Sequence, residues 1–419
     1  MQIFSCDNCG HPVFFENVQC LHCGSTLAFL PDRMTLAAIE LVPGEVPPDT
    51  PALWQRQTPD DPPVQYRLCQ NQVQHQACNF TVRAEDGNPL CVSCRQTRIL
   101  PDLSTPQNHE RWYRIEVAKR RLFYTLARLG LADPCGGDAV QSPRYEFLAD
   151  LPGGPKVMTG HNEGLITLNV AEADDDERAR RRVELFEPYR TLLGHMRHES
   201  GHFYWDRLIR NGPKLAECRA LFGDESVDYM QSLQAHYAAG VRTDWQDNFV
   251  SAYAAAHPWE DWAETWAHYL HMVDLLETAA SYRTRIVVPS ADGGEQRSRA
   301  ADPFGNSQDD FDQWIAQWVP VTLLVNSLNR SLGQNDAYPF ALSEKALSKL
   351  RFVHEVIHAS AAPPDFGCSG AYVAPASAAH AGTDGGNTEA APEDSSSATQ
   401  PGATPSPVSP ASLSTETPA

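Results

Sequence analysis

Apolar positions recur along this chain in blocks that switch between helical and extended spacing. From 108 to about 132, Trp112, Ile115, Leu122, Leu126 and Leu129 fall near a 3.6-residue repeat, which predicts an amphipathic helix. Residues 164–170 (Gly-Leu-Ile-Thr-Leu-Asn-Val) form a short, largely apolar run that reads as a strand. Helical spacing returns from 176 to about 209, with Pro188 placed to start a new helix inside it, and again over 225–239 and 259–277. A last, mostly helical block covers 311–358. After about Ala362 there is no Lys or Arg, and Ala, Pro, Ser, Thr and Gly dominate. Such a tail cannot bury enough apolar surface to offset its ordering entropy and is expected to be disordered.

Ahead of the first helix the pattern is set by cysteine and proline. Cys6-x2-Cys9 and Cys20-x2-Cys23 are separated by ten residues, the spacing of a four-thiolate zinc ribbon. Cys69, Cys78, Cys91 and Cys94 make a second, less regular set that ends in another Cys-x-x-Cys. Two structural zinc sites are therefore expected, with iron as the alternative ion for a tetrahedral sulfur site. Cys135, Cys218 and Cys368 look unpaired. Between the sets, seven prolines from Pro43 to Pro63 read as an extended linker. The expected divisions are a zinc ribbon at 1–30, a Pro-rich linker at 31–64, a second four-Cys module at 65–105, a large mostly helical domain at 106–360 and the tail at 361–419.

Charge narrows the choice of partner. The chain carries a net −20 over 419 residues, and residues 1–105 hold six Arg and no Lys against eleven Asp and Glu. A phosphate-binding surface needs the opposite sign, so nucleic acid and anionic membrane surfaces are disfavoured as partners. No run approaches the roughly 18 apolar residues that cross a bilayer. The start, Met1-Gln-Ile-Phe-Ser-Cys6, has neither a basic nor an apolar leader region, so a cytoplasmic location is the expectation.

The chemistry centres on His198-Glu-Ser-Gly-His202. On a helix, positions i and i+4 share a face, so both imidazoles reach one ion, and Glu199 stands beside it to take a proton from water. A catalytic zinc needs a third protein ligand and an open position. The segment His257-Pro-Trp-Glu-Asp-Trp-Ala-Glu-Thr-Trp-Ala-His-Tyr-Leu-His271 offers Glu260, with His257, His268 and His271 as rivals. Glu264, one turn beyond Glu260, suits the carboxylate that accepts the free ring N–H of a ligand histidine. Residues 165–170 suit an edge strand for an extended peptide substrate or an ordinary core strand. His161 and His195 read as structural or supporting residues.

These residues resemble the glutamate zincins, in which His-Glu-x-x-His is followed downstream by Glu-x-x-x-Asp or Glu-x-x-x-Glu. The branch that includes anthrax lethal factor has a tyrosine seven residues before the ligand glutamate, and Tyr253 stands seven before Glu260. The resemblance implies that Tyr253 donates to the developing oxyanion, and that Asp206, four after His202, supports the metal ligands. More closely, the chain resembles a family of bacterial zinc-binding metallopeptidases with an N-terminal zinc ribbon. Carrying phrases include Ile99-Leu-Pro-Asp-Leu-Ser104, Gly160-His-Asn-Glu-Gly-Leu-Ile-Thr-Leu-Asn-Val170 and Tyr189-Arg-Thr-Leu-Leu-Gly194. The implied fold is α+β and mostly helical, a zincin-like domain behind a cysteine-rich region. The implied activity is hydrolysis of a protein or peptide substrate with one catalytic and up to two structural zinc ions. The alternative is a catalytically weak zinc-binding regulatory or interaction module.

Overall fold

The computed structural model describes residues 1–44, 50–58, 63–136, 142–184, 191–289, 294–305 and 310–360. Pro188, Cys368 and the tail at 361–419 lie outside them.

The N-terminal part opens with a small hairpin of β1 (Phe4–Ser5) and β2 (Pro12–Val13). It continues into an antiparallel five-stranded sheet: β3 (Thr26–Leu30), β4 (Thr35–Leu41), β5 (Trp54–Arg56), β6 (Tyr66–Leu68) and β7 (Thr81–Arg83). The short α1 (Gln70–His75) sits between β6 and β7. A backbone hydrogen bond of 2.8 Å from Phe29 to Asn79 brings β3 back toward the chain entering β7. The linker reading of 31–64 therefore needs correction, because β4 and β5 lie inside it. Pro43, Pro51 and Pro63 fall between strands, and the other four prolines lie outside the described residues. The run Thr-Leu-Ala-Ala-Ile-Glu-Leu between them and β3 is mostly buried and pairs on both sides.

The larger part starts with β8 (Thr97–Ile99) and α2 (Pro106–Arg128), which opens on Pro106 as a helix start favours. Then follow β9 (Arg144–Leu148), β10 (Gly160–Asn162), β11 (Leu165–Asn169) and α3 (Asp175–Glu184). The sheet order is β10-β11-β9-β8, with β10 antiparallel and the other pairs parallel. The run at 165–169 is thus an inner strand, not an edge, and the edges are β10 and β8. Ile166, Leu168 and Asn169 are buried and Leu165 and Thr167 half-buried, so neither face is open to solvent and the run is largely apolar. The helices are α4 (Leu192–Leu208), α5 (Leu215–Phe222), α6 (Tyr229–Ala239), α7 (Trp245–Asn248), α8 (Pro258–Ser281), α9 (Phe311–Ser331) and α10 (Glu344–Ser360). A hairpin of β12 (Arg285–Pro289) and β13 (Glu295–Arg299) precedes α9.

One large core joins α2, the four-stranded sheet and α4, α8, α9 and α10, with Trp112, Tyr204, Trp262, Trp266 and Tyr269 fully buried. A second core under the cysteine region takes Phe4, Phe15, Phe29 and Phe80, and α2 contributes Phe123 and Tyr124 to it. Thus α2 is the shared wall of both cores. Cys218 is free and buried, whereas Cys135 is disulfide-bonded, against its reading as unpaired. Among the described residues no helix is long and apolar enough to cross a membrane.

Candidate functional site

The two helices that carry the motif residues are registered by their caps. The Gly194 N–H donates to Thr191 Oγ1 at 2.9 Å at the start of α4. The Trp259 N–H donates to His257 Nδ1 at 3.0 Å at the start of α8, where Pro258 opens the first turn. The helices then meet at Gly201. A Cβ there would stand 2.9 Å from the Cα of Ala263, so glycine is what permits this approach. Two indoles of α8 secure it: Trp262 donates to the Gly201 carbonyl at 2.9 Å and Trp266 to the Ser200 hydroxyl at 3.1 Å.

This crossing sets His198, His202 and Glu260 around one point, their ligand atoms within 4.8 Å of one another and all three residues buried. His198 Nε2 is 3.0 Å from Glu260 Oε2, and His202 Nε2 is 3.6 Å from Glu260 Oε1. Tetrahedral zinc with N and O ligands at about 2.0–2.1 Å spaces its donors by about 3.3 Å, so the set fits zinc. His198 donates Nδ1–H to Glu264 Oε1 at 2.6 Å, and Ser251 donates to Glu264 Oε2 at 2.5 Å. That bond puts the proton on Nδ1 and turns Nε2 toward the metal. Burial opposes charge on Glu264, but the His198 hydrogen bond and charge outweigh it and hold the carboxyl at about 2. Burial likewise opposes charge on Glu260, and His202 and His198 more than offset it, holding the group well below the usual carboxylate range. A buried pair of anions around two imidazoles favours a cation at its centre.

Glu199 is 5% exposed, next to the ligands on α4, with its Oε1 3.1 Å from His195 Nε2. Burial again works against the anion, yet the neighbouring histidines bring the carboxyl below its ordinary value. The residues border a cavity of about 880 Å³ that has Gly160 and His161 of β10 on one side and Tyr229, Leu233 and Tyr237 of α6 on another. Tyr253, on a short 3-10 turn before α8, lines the same cavity with its ring 6.0 Å from that of His198.

The rival ligands are engaged elsewhere. His257 caps α8 and pairs its Nε2 with the Val227 carbonyl at 3.1 Å. His268 bonds to the Tyr338 hydroxyl and His271 to Arg197. Asp206 pairs with Arg210 at 2.7 Å, and the Nδ1 of His202 has no hydrogen-bond partner among the described residues. His161, in β10, accepts from the Gly164 N–H at 3.0 Å and stacks near His202, so its ring braces the turn that leads from β10 into β11.

Two features escaped the sequence reading. Tyr229 donates to Glu260 Oε1 at 2.7 Å and hydrogen-bonds with Tyr253. It stands 31 residues before its partner on a helix with no motif, so no spacing signalled it. The pattern His-Glu-x-x-His also recurs at His354-Glu-Val-Ile-His358 on α10. Its rings face each other at 4.1 Å among Trp314 and Phe311. No third His, Cys, Asp or Glu ligand joins them among the described residues, and Glu355 is exposed. The third ligand, not the pentapeptide, distinguishes the two copies.

Both four-cysteine sets are assembled. Sulfur pairs Cys6–Cys23, Cys9–Cys20 and Cys78–Cys91 are each 3.7 Å apart, and Cys78–Cys94 is 3.6 Å. Tetrahedral zinc with Zn–S near 2.3 Å has an S···S edge of about 3.8 Å, so both sets fit. Backbone N–H groups of Phe80, Cys91 and Cys94 donate to sulfurs of the second set at 3.3–3.4 Å, supporting thiolate charge. The second set is wholly buried, whereas Cys23 of the first is exposed.

Two family models match the chain. A zinc-ribbon domain model matches residues 3–105, and the model of the zinc-binding metallo-peptidase family matches residues 108–356. Uncharacterized proteins of Mycobacterium tuberculosis and Mycobacterium bovis are 40% identical over 367 residues, covering 87% of this chain and 97% of theirs. No solved structure matches. With a buried His-Glu-x-x-His motif, its downstream glutamate and a ribbon holding two four-cysteine sets, this chain belongs to the zinc-binding metallo-peptidase family.

Proposed function

We propose that this protein hydrolyses peptide bonds in a protein or peptide substrate, with Glu199 as the general base and then the general acid. The carrying observation is the union of His198, His202 and Glu260 at one buried point with Glu199 beside them. Zinc held by those three residues supplies a Lewis acid that makes water nucleophilic near neutral pH. Glu199 accepts the proton of the attacking water and delivers it to the leaving amine. Tyr253, at the cavity wall, donates its hydroxyl to the developing oxyanion. Glu264 orients His198 through their 2.6 Å bond, and Asp206 supports the C-terminal turn of α4 through Arg210. Strand β10 offers its outer edge along the cavity, which suits pairing with an extended peptide.

In this reading residues 1–105 form a zinc-supported recognition or stabilising part, residues 106–360 the peptidase, and the protein works in the cytoplasm. The acidic N-terminal region favours a protein partner over nucleic acid. The test is cleavage of a peptide library by the zinc-loaded protein, read by mass spectrometry. Glu199→Gln should abolish cleavage while keeping zinc. Equal cleavage by the two proteins would overturn the assignment.

A further inference from the structure

Glu199 lines the cavity with an imidazole in contact with its carboxylate. His195, one turn earlier on α4, lies with Nε2 3.1 Å from Glu199 Oε1 and Nδ1 2.6 Å from Glu172 Oε2. Glu172 is 1% exposed and sits on the 3-10 turn Val170–Ala173 that follows β11. Its other oxygen accepts from the Thr159 hydroxyl at 2.5 Å, and Thr159 lines the cavity beside β10. A continuous polar line thus runs from the sheet side of the cleft, through a buried carboxylate and an imidazole, to the base.

The last torsion of a glutamate side chain is broad, so its carboxylate plane is set by whatever donors it meets. An imidazole engaged at both nitrogens cannot turn, and here its Nε2 is aimed at one oxygen of Glu199. That contact ties Oε1 and leaves Oε2 to meet water on the ligand face. Catalysis depends on such orientation, because a proton acceptor misplaced by about 1 Å can cost 10²-fold. Resting on the peptidase reading above, we propose that His195 is a positioning residue that holds the carboxylate of Glu199, with Glu172 and Thr159 orienting His195 in turn.

Side-chain shape supplies the test. The Gln amide reaches where Nε2 of His stands, and the Asn amide where Nδ1 stands. His195→Ala and His195→Asn should each lower kcat about 10–100-fold, the range for lost supporting hydrogen bonds, with zinc content and KM little changed. His195→Gln should recover most of that loss. Recovery by Asn and not Gln would show that His195 serves only Glu172, and equal kcat in all four proteins would remove it from positioning. Either result overturns the proposal. Nitrogen-edited NMR of the zinc-loaded protein reads the same contact without turnover. The His195 Nε2 resonance should move in Glu199→Gln and hold still in Glu355→Gln, whose side chain is exposed on α10. An unmoved resonance in Glu199→Gln would sink the inference even if the protein cleaves. A moved resonance in a protein that cleaves nothing would keep the geometry and refute the peptidase reading instead.

Discussion

At the scale of residues, Glu260 and Glu264 lie one turn apart on α8 and do different work. Glu260 points at both imidazole Nε2 atoms, so Glu260→Ala should empty the site. Glu264 meets His198 at the nitrogen turned away from the metal point, so Glu264→Ala should weaken zinc affinity by roughly 10–100-fold and leave the site fillable. Zinc titration of the two variants checks this, and the reverse order would exchange the roles. The tyrosines separate in a similar way. Tyr253→Phe deletes only a hydroxyl and should lower kcat by about 10²–10³ with zinc retained, the loss expected for one oxyanion donor. Tyr229 instead bonds to a metal ligand, so Tyr229→Phe should appear first in zinc affinity. A normal kcat in folded, zinc-loaded Tyr253→Phe would remove that residue from the mechanism.

Much of this site was legible in the sequence because helical spacing is a local code. His198 and His202 share a face at i and i+4, as do Glu260 and Glu264, and proline at 258 fixes where the second helix begins. What was not legible depends on contacts between segments far apart in the chain. Tyr229, Ser251 and Glu172 reach the site from a helix, a loop and a turn with no shared spacing. The strand at Thr35–Leu41 was hidden by the prolines that follow it. The edge position of Gly160–Asn162 was hidden because a three-residue strand carries almost no periodicity.

At the scale of elements, the site depends on how closely α4 and α8 cross. Gly201 is the contact, and an added methyl would stand 2.9 Å from the backbone of Ala263 and 3.2 Å from Trp266 Cβ. Backbone cannot swing aside as a side-chain tip can, so the helices must separate by a few tenths of an ångström. Gly201→Ala gains helix propensity of about 1 kcal/mol, but overpacking of a filled core costs about 1–3 kcal/mol, and the second effect should win. The variant is therefore expected to melt at a lower temperature and to bind zinc more weakly, because Glu260 recedes from His198 and His202. Unchanged melting and zinc affinity would mean that the Trp262 and Trp266 bonds alone set the spacing.

At the scale of the whole molecule, α2 joins the ribbon to the catalytic site. Its Phe123 and Tyr124 pack in the ribbon core while Trp112, Ile115 and Leu122 pack in the main core. Arg120 donates to the Ala77 carbonyl at 2.7 Å, next to Cys78. On the other side Tyr124 and Thr125 donate to Glu277 and Asp274 of α8, the helix that carries Glu260. Loss of a structural zinc should therefore be felt at the catalytic centre. Four-thiolate zinc contributes directly to folding, and the second set is buried whereas the first is partly exposed. Cys91→Ser should reduce zinc from about three ions per chain to about two and lower the melting temperature of the whole protein in a single transition. Cys23→Ser alters an exposed ligand, so it should lose its zinc with a smaller drop in melting temperature. Differential scanning calorimetry with metal analysis decides the matter. Two separate transitions in Cys91→Ser, the upper one at the temperature of the unaltered protein, would show that α2 does not couple ribbon and peptidase.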